Sequence, residues 1–508
     1  MGWFNRYVIG SISPKWAMQR ERYARGLRAY YEAAEPSRYR KWRTDRRSGN
    51  AQVERAAAPL RVQARHLDEN YDVAAGILDV LVANTVGRGV QPEPQVLLQD
   101  GSPATEVNSK LLKLWNQWIF ACDVTGQYHY YELQRLAARS WFRDGEIFAQ
   151  RIVGTVPGLF HGTALPYSLE ALESDFVPHD LNDPDRRIVQ GIEVNAWGRP
   201  VAFHVYKGHP GDSFTVSLET KRVPASVMTH LAFRKSFHQL RGISIFATVM
   251  GRLDDIKEVD ENERVAARVA AAMAAVIKKG TPEMYEADDV PRDESGQPMR
   301  RDMFFEPGII FDELMPGESV ETIDTKRPNN ALIPFRDAQL RSAAAGTMVS
   351  FSSASKNYNG TYSAQRQELV EQWGIYQMLG SGFTFRFCQP VWDSFIDAAI
   401  LSGAVELPRN VDRDTLYDCT HTGPSMIWID PEKEAKALIM QMQWGFKARS
   451  RIIRERGDNP DEVNREIQRD QQELERLGIK LPGDGKAQAS ADTDGEPARE
   501  STAEEVEE

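Results

Sequence analysis

The stretch IFATVMGRLDDIKEVDENERVAARVAAAMAAVIKKG, residues 245–280, runs for 36 residues without a proline. Read as one helix it reaches about 54 Å at 1.5 Å per residue, well beyond the usual length in globular proteins. Its second half is narrow, because Ala266, Ala267, Ala270, Ala271, Ala274 and Ala275 carry almost no side chain. A narrow helix lets a neighbour come close. The plain alternative is a core helix of a large domain. The charged middle, DDIKEVDENER, argues against full burial within one monomer.

The texture then breaks. Residues 281–327 hold 13 Asp+Glu against 5 Lys+Arg, with Pro282, Pro291, Pro298, Pro307 and Pro316 among them. Within this stretch FFEPGIIFDELMPGESVETI reads as a small hairpin-like β element, turning at Pro307-Gly308 and Pro316-Gly317. A second helical pattern, FRDAQLRSAAAGTMVS, follows. A long rod therefore runs out, a small acidic tip forms, and a second rod runs back. Next comes FSSASKNYNGTYS, about a dozen small, polar and aromatic residues with one lysine and no acid. The pattern SAQRQELVEQWGIYQMLGSGFTFRFCQPVWDSFIDAAILSG is helical again, with a bend expected at Gly380–Gly382.

Ahead of the first rod, Val73, Ile77, Val80 and Leu81 mark one face of a helix that Gly87 stops. Further helices are expected over 105–121 and 130–142. From about 145 the period becomes two. EIFAQRIV, YSLEALES, GIEVNAWGRPVAFHVYKG and VMTHLAFR read as short strands, with NAWGRP as a turn on Gly198. This makes an α+β unit of about 180 residues. Near the C-terminus, Asp430, Ser450 and Asn459 are helix-cap candidates, and Gly478 is a stop.

At 508 residues the chain exceeds one simple core, and two to four structural units are expected. Cys122, Cys388 and Cys419 are far apart, which excludes a disulfide framework or a cysteine metal site. No run of 18 apolar residues exists to span a membrane. The net charge of −11 is uneven: residues 1–70 carry 15 Lys+Arg against 7 Asp+Glu, and residues 481–508 carry 2 against 9. The first is a basic arm, either solvated or touching nucleic acid or an acidic partner. The second has too little apolar surface to fold and is expected to be disordered.

The motifs of phosphate-binding loops, zinc peptidases and serine hydrolases are absent. His204 and His209 flank a strand end and read as core or surface residues. Asp254/Asp255 and Asp260/Glu261 read as a solvated or subunit-facing stripe on the rod. No catalytic constellation and no cofactor site emerge. A hydrolase, nuclease or protease, with an unrecognised site in the α+β unit remains the alternative reading.

Four segments in order carry a resemblance: LVANTVGRGVQPEPQ, then RGISIFATVMGRLDDIKEVDENERVAARVAAAMAAVI, then FEPGIIFDELMPGESVETIDTKRPN, then NYNGTYSAQRQELVEQ. Together with the later WIDPEKEAKA and RGDNPDEVNREIQRDQQELERLG, this resembles the portal proteins of lambda-type tailed bacteriophages over about residues 15–480. The resemblance implies an α+β portal fold: a basic arm at 1–45, an α/β wing at 46–240, a stem helix at 241–280, a clip at 281–327, a second stem helix at 328–350, a tunnel loop at 351–363, the wing return and helical crown at 364–479, and an acidic tail at 480–508. It implies a homo-oligomeric ring, a dodecamer in most relatives, without catalysis or cofactor. The ring sits at one capsid vertex of the virion after assembly in the host cytoplasm.

The implied partners are double-stranded DNA in the channel, bound without sequence specificity, the terminase large subunit, head-completion or adaptor proteins, and the major capsid or scaffold protein, with no membrane. Ser353, Ser355, Lys356, Asn357, Asn359 and Tyr362 are the expected DNA contacts. Their weak hydrogen bonds to phosphate are blind to sequence, whereas many arginines would grip and impede sliding. Glu306, Asp312 and Glu313 of the clip are the expected docking residues.

Overall fold

The computed structural model describes residues 15–16, 47–213, 218–272, 276–279, 318–321, 332–426 and 431–479. Nearly all of the expected basic arm, most of the expected clip and the expected acidic tail lie outside the described residues.

Helix α1 (Gly49–Asn70) opens the body, with Ser48 Oγ accepting from the Ala51 amide at 3.3 Å. The sequence pattern does not mark this helix, because Pro59 lies inside it. Helix α2 (Asp72–Thr85) follows, burying Ala74, Ile77, Leu78 and Leu81 along one face at the spacing a core-facing helix requires. Gly87, at φ 57, takes the left-handed position and donates to the Val82 carbonyl at 3.1 Å, as its expected role as a stop requires. Strand β1 (Gln91–Pro94) and helices α3 (Thr105–Trp118) and α4 (Tyr130–Asp144) complete the helical layer.

The expected strands form where the period of two placed them: β2 (Glu146–Val153), β3 (Tyr167–Leu172), β5 (Ile192–Val194), β6 (Pro200–Tyr206) and β8 (Met228–Ala232), with the short β4 (Ile188–Val189) and β7 (Thr220–Pro224) added where the sequence pattern marks no strand. They make an antiparallel sheet of order β3-β2-β8 and another of order β4-β5-β6-β7. A small core of Phe148, Leu172, Ile192, Phe203, Val205 and Val223 lies between the two.

The larger core is aromatic. Trp118 stacks on Tyr167 at 4.9 Å, and its Nε1 donates to the Tyr167 carbonyl at 2.8 Å. The Tyr167 hydroxyl donates to Val391, and Trp392 packs edge-on to Trp115. Residues more than two hundred apart in sequence thus close one core. Aromatic pairs add about 0.5–1.5 kcal/mol each beyond burial.

The rod departs from expectation. Ile245–Thr248 form a 3₁₀ turn, helix α5 is Met250–Ala272, and Val276–Lys279 is strand β9 rather than helix. Strand β9 pairs antiparallel with β10 (Glu318–Glu321), setting Ile277 opposite Val320. β-Branched residues favour a paired strand once a partner exists, and that partner is forty residues away. Helix α6 (Leu332–Gly346) runs back antiparallel to α5, with Arg336 Nε 2.9 Å from Asp260 and Arg252 bonded to Gln339. Asp260 is therefore a strut between the rods. A Cβ on Gly346 would meet Val249 at 2.3 Å, so the rods touch closely at the body end.

The rod joins the body at a tight backbone crossing. A Cβ on Gly145 would meet the Ile243 carbonyl carbon at 2.3 Å, and one on Gly242 would meet the Gly145 oxygen at 2.0 Å. Between them lies a fully buried ion pair, Glu146–Arg241, at 2.7 Å. Glu146 also accepts from Ser174 Oγ (2.6 Å), the Gly242 amide (2.9 Å) and His230 Nε2 (3.0 Å). Arg241 further donates to the carbonyls of Val177, Gln190 and Ser174. Burial alone would raise the Glu146 carboxyl, but Arg241 and His230 beside it hold it well below the usual carboxylate range.

Helix α7 (Phe351–Ser355) forms within the expected loop, and helix α8 (Tyr362–Phe383) follows. The expected bend at Gly380–Gly382 is a wider π turn at Thr384–Cys388, leading into α9 (Gln389–Leu401). Strand β11 (Cys419–Thr422) pairs with β1, and α10 (Pro431–Gln443), α11 (Arg449–Glu455) and α12 (Pro460–Leu477) end the described chain. Asn459 caps α12 as expected, with its Oδ1 accepting from Asp461 at 2.8 Å, and Gly478 stops it at φ 67. Ser450 is not a cap. Helix α11 starts at Arg449, with Ala448 at the N-cap position. Asp430 lies outside the described residues.

Two outcomes test the junction. Glu146→Gln strands Arg241 in the core and should cost about 3–5 kcal/mol in chemical denaturation. Burial, the largest influence on His230, pushes it from 6.5 down to about 4. The unfolded chain therefore binds its proton first, and stability falls as pH drops through that window. Glu146, depressed when folded, contributes stability that is lost at still lower pH. His230→Gln keeps a donor toward Glu146 and should flatten the pH dependence of the unfolding midpoint between pH 6.5 and 4.

Candidate nucleic-acid interface

The loop between the second rod and α8 is built from local caps. Helix α6 ends where Thr347 Oγ1 donates back to the Ala343 carbonyl (3.0 Å) and Met348 turns left-handed at φ 60. Ser350 Oγ accepts from the Ser353 amide (3.3 Å) and starts α7. Phe351 packs under Arg341, whose guanidinium lies 4.8 Å above the ring. Lys356, left-handed at φ 55, closes α7.

Residues 351–363 are therefore not one irregular segment. Phe351–Ser355 is helical, and the irregular part is 356–361. The cap at Ser350 and the buried Ala354 are what convert the first five residues.

This decides which expected contacts are free to meet a ligand. Ser353 and Ser355 spend their hydroxyls inside the turn: Ser353 bonds to Ser350 Oγ at 2.8 Å, and Ser355 donates to the Phe351 carbonyl at 2.8 Å. Ser352 Oγ donates to Glu368 Oε2 at 2.6 Å, so an acid braces the segment from the next helix. Asn357 is half-buried, and its Oδ1 accepts from the Asn359 amide at 3.1 Å. Lys356 and Asn359 are exposed at the tip. The side chain of Tyr362 lies outside the described residues, as do Glu306, Asp312 and Glu313.

Tyr358, 57% exposed, belongs with the tip residues. The sequence reading passed over it, although an aromatic ring between two asparagines next to a glycine was the available signal. Thr361 Oγ1 caps α8 by accepting from Ala364 at 3.4 Å. Gln372 Nε2 donates to the Met348 carbonyl at 2.5 Å. The tip thus hangs from two braced helices and presents one cation, one phenol and one amide.

Elsewhere, folding brings Glu173, Asp175 and His209 within reach of one another. Arg65 Nη2 already sits 3.1 Å from Glu173 and 2.6 Å from Asp175, and Arg61 pairs with Asp175 at 2.8 Å. The carboxylates are thus neutralised by guanidinium rather than open to a metal. His204 is buried, on strand β6 of the four-stranded sheet. No helix among the described residues is long and apolar enough to cross a membrane.

Residues 35–379 match the family described as phage portal protein, lambda family. A protein named "Probable portal protein" from Halomonas phage phiHAP-1 is 25% identical over 459 residues, covering 87% of this chain and 85% of its own. Portal protein B of Escherichia phage lambda is 24% identical over 332 residues, 60% of this chain and 62% of its own. Among solved structures, a chain from the neck of a native gene transfer agent particle, computed with C12 symmetry, covers 80% of this chain and 94% of that chain at 13% identity, with a TM-score of 0.44. The matched family is structural rather than catalytic, and the hydrolase alternative finds no support. With the family match running over residues 35–379, through the two sheets, both rods and the loop, the chain belongs to the lambda family of phage portal proteins.

Proposed function

We propose that copies of this chain form a ring, twelve-fold as in most of the family, at one vertex of the capsid, and that loop 356–361 faces the central channel. The observation that carries this reading is the tip itself. Lys356, Tyr358 and Asn359 stand exposed at the end of a braced turn, with a single positive charge among them. A duplex moving past such a tip meets weak hydrogen bonds to phosphate and little of the salt-dependent attraction that many arginines would add. The net charge of −11 supports the same reading, because a negative wall repels the cargo.

The motor need not reside in this chain. The acidic clip, with Glu306, Asp312 and Glu313, is the surface proposed to receive the terminase large subunit during packaging and head-completion or adaptor proteins afterwards. The rim of the wing is proposed to meet the major capsid or scaffold protein. Assembly in the host cytoplasm and residence in the virion follow from that role.

Two experiments test the loop. Lys356→Gly keeps the left-handed turn and removes the cation. Combined with Tyr358→Ala and Asn359→Ala, it should leave rings intact and lower DNA packaging or retention severalfold in particles; loss of rings would make the tip a structural element instead. Glu368→Ala removes both bonds to Ser352, each charge-assisted and worth about 1.5–3 kcal/mol. Amide exchange over 351–361 should then rise about tenfold or more, and unchanged exchange would show that the brace does not hold the tip.

A further inference from the structure

Two surfaces at the C-terminal end are only partly covered among the described residues. The first is the turn from α10 to α11. Trp444 is 73% exposed and Phe446 81%, and Ile439, Met440 and Met442 on the last turns of α10 are exposed beside them. Residues 444–457 carry five Lys+Arg against one acid. Among the described residues, Arg451 is engaged by an exposed pair at 3.3 Å to Glu455, and Arg456, itself more than half exposed, by a long 3.9 Å contact to Glu434. Such pairs are worth little, so these cations remain available.

The second surface is α12. Val463, Ile467, Leu474 and Leu477 recur at helical spacing and form one apolar stripe, with Asp470 inside it and Glu466 along its edge. The stripe is only half-covered. Leu477 is 57% exposed, and the packing of α12 on the body is chiefly with the short α11. The helix carries six acids against three arginines. A helix this amphipathic is stabilised mainly by covering its stripe.

We infer that the α12 stripe of one copy lies on the α10–α11 turn of the next copy, so that neighbouring subunits interlock through their C-terminal helices. The inference rests on the ring reading above. The two faces differ, one basic and aromatic, the other acidic and aliphatic. A contact between unlike faces is heterologous, the kind that closes rings. Charge complementarity and matched apolar content favour a second copy over nucleic acid, since phosphates would meet the arginines and leave Ile439, Met440 and Trp444 wet.

The test uses the full chain and measures assembly by light scattering across protein concentrations. Glu466→Lys with Asp470→Lys reverses one face, and Arg451→Glu with Arg456→Glu reverses the other. Each reversal should raise the concentration needed for assembly about tenfold, from lost interfacial charge pairs. Combining both in one chain should restore it. A disulfide between Met440→Cys and Ile467→Cys should then link different copies.

A wild-type chain that stays monomeric at every concentration would overturn the ring and the interlock together. Normal assembly of both reversed variants, failure of the combined swap, or a disulfide formed within one copy would overturn the interlock and leave the ring standing. Reversed variants that assemble normally but lose DNA retention or incorporation into capsids would assign the surface to DNA or capsid protein and would also overturn it.

Discussion

The crossing of Gly145 and Gly242, clamped by Glu146 and Arg241, is the constraint on which the remaining architecture depends. Glu146 begins β2, the central strand of its sheet, and Arg241 lies four residues before the Ile245–Thr248 turn that leads into α5. Without side chains at the crossing, the two backbones can touch. With the ion pair beneath them, they are held at one angle. A buried pair is weak evidence for net stability, but here every guanidinium nitrogen has an acceptor, so the geometry is over-determined. The rod consequently leaves the body in a fixed direction, and Val249 stands where Gly346 must pass on the way back.

From that anchor the loop inherits its position. The returning helix α6 ends at Gly346, and α8 begins at Tyr362, capped by Thr361. Helix α8 reaches back to hold Ser352 and Met348 through Glu368 and Gln372, then passes through the π turn into α9 and the aromatic core around Trp392. Both ends of the tip are thus tied to rigid elements, while the bonds of its six residues are local ones, such as the Asn359 amide to Asn357 Oδ1 and Gln365 Nε2 to the Tyr358 carbonyl. Such a segment can yield locally without disturbing what holds it, a property suited to touching a moving duplex.

Much of this was legible because it is local. The alternation in EIFAQRIV and VMTHLAFR, the turn at Gly198, the cap at Asn459 and the stop at Gly478 are each decided within a few residues. The misses are long-range or compensated. Val276–Lys279 reads as helix until Glu318–Glu321 offers a ladder. Pro59 hides α1, which its neighbours nevertheless sustain. At the site, the lysine and asparagine of the tip were visible in composition, but Ser353 and Ser355 were not recognisably spent until their acceptors Ser350 and Phe351 were in place. Nor could the sequence pair Glu146 with Arg241, 95 positions away.

The central claim is that the Lys356–Thr361 tip looks into a shared hole. An electron-microscopic reconstruction of the purified, assembled chain measures this directly. The account predicts a closed ring wide enough for duplex DNA, with residues 356–361 at its inner wall. A stable monomer, or a ring with those residues on its outer surface, would contradict it.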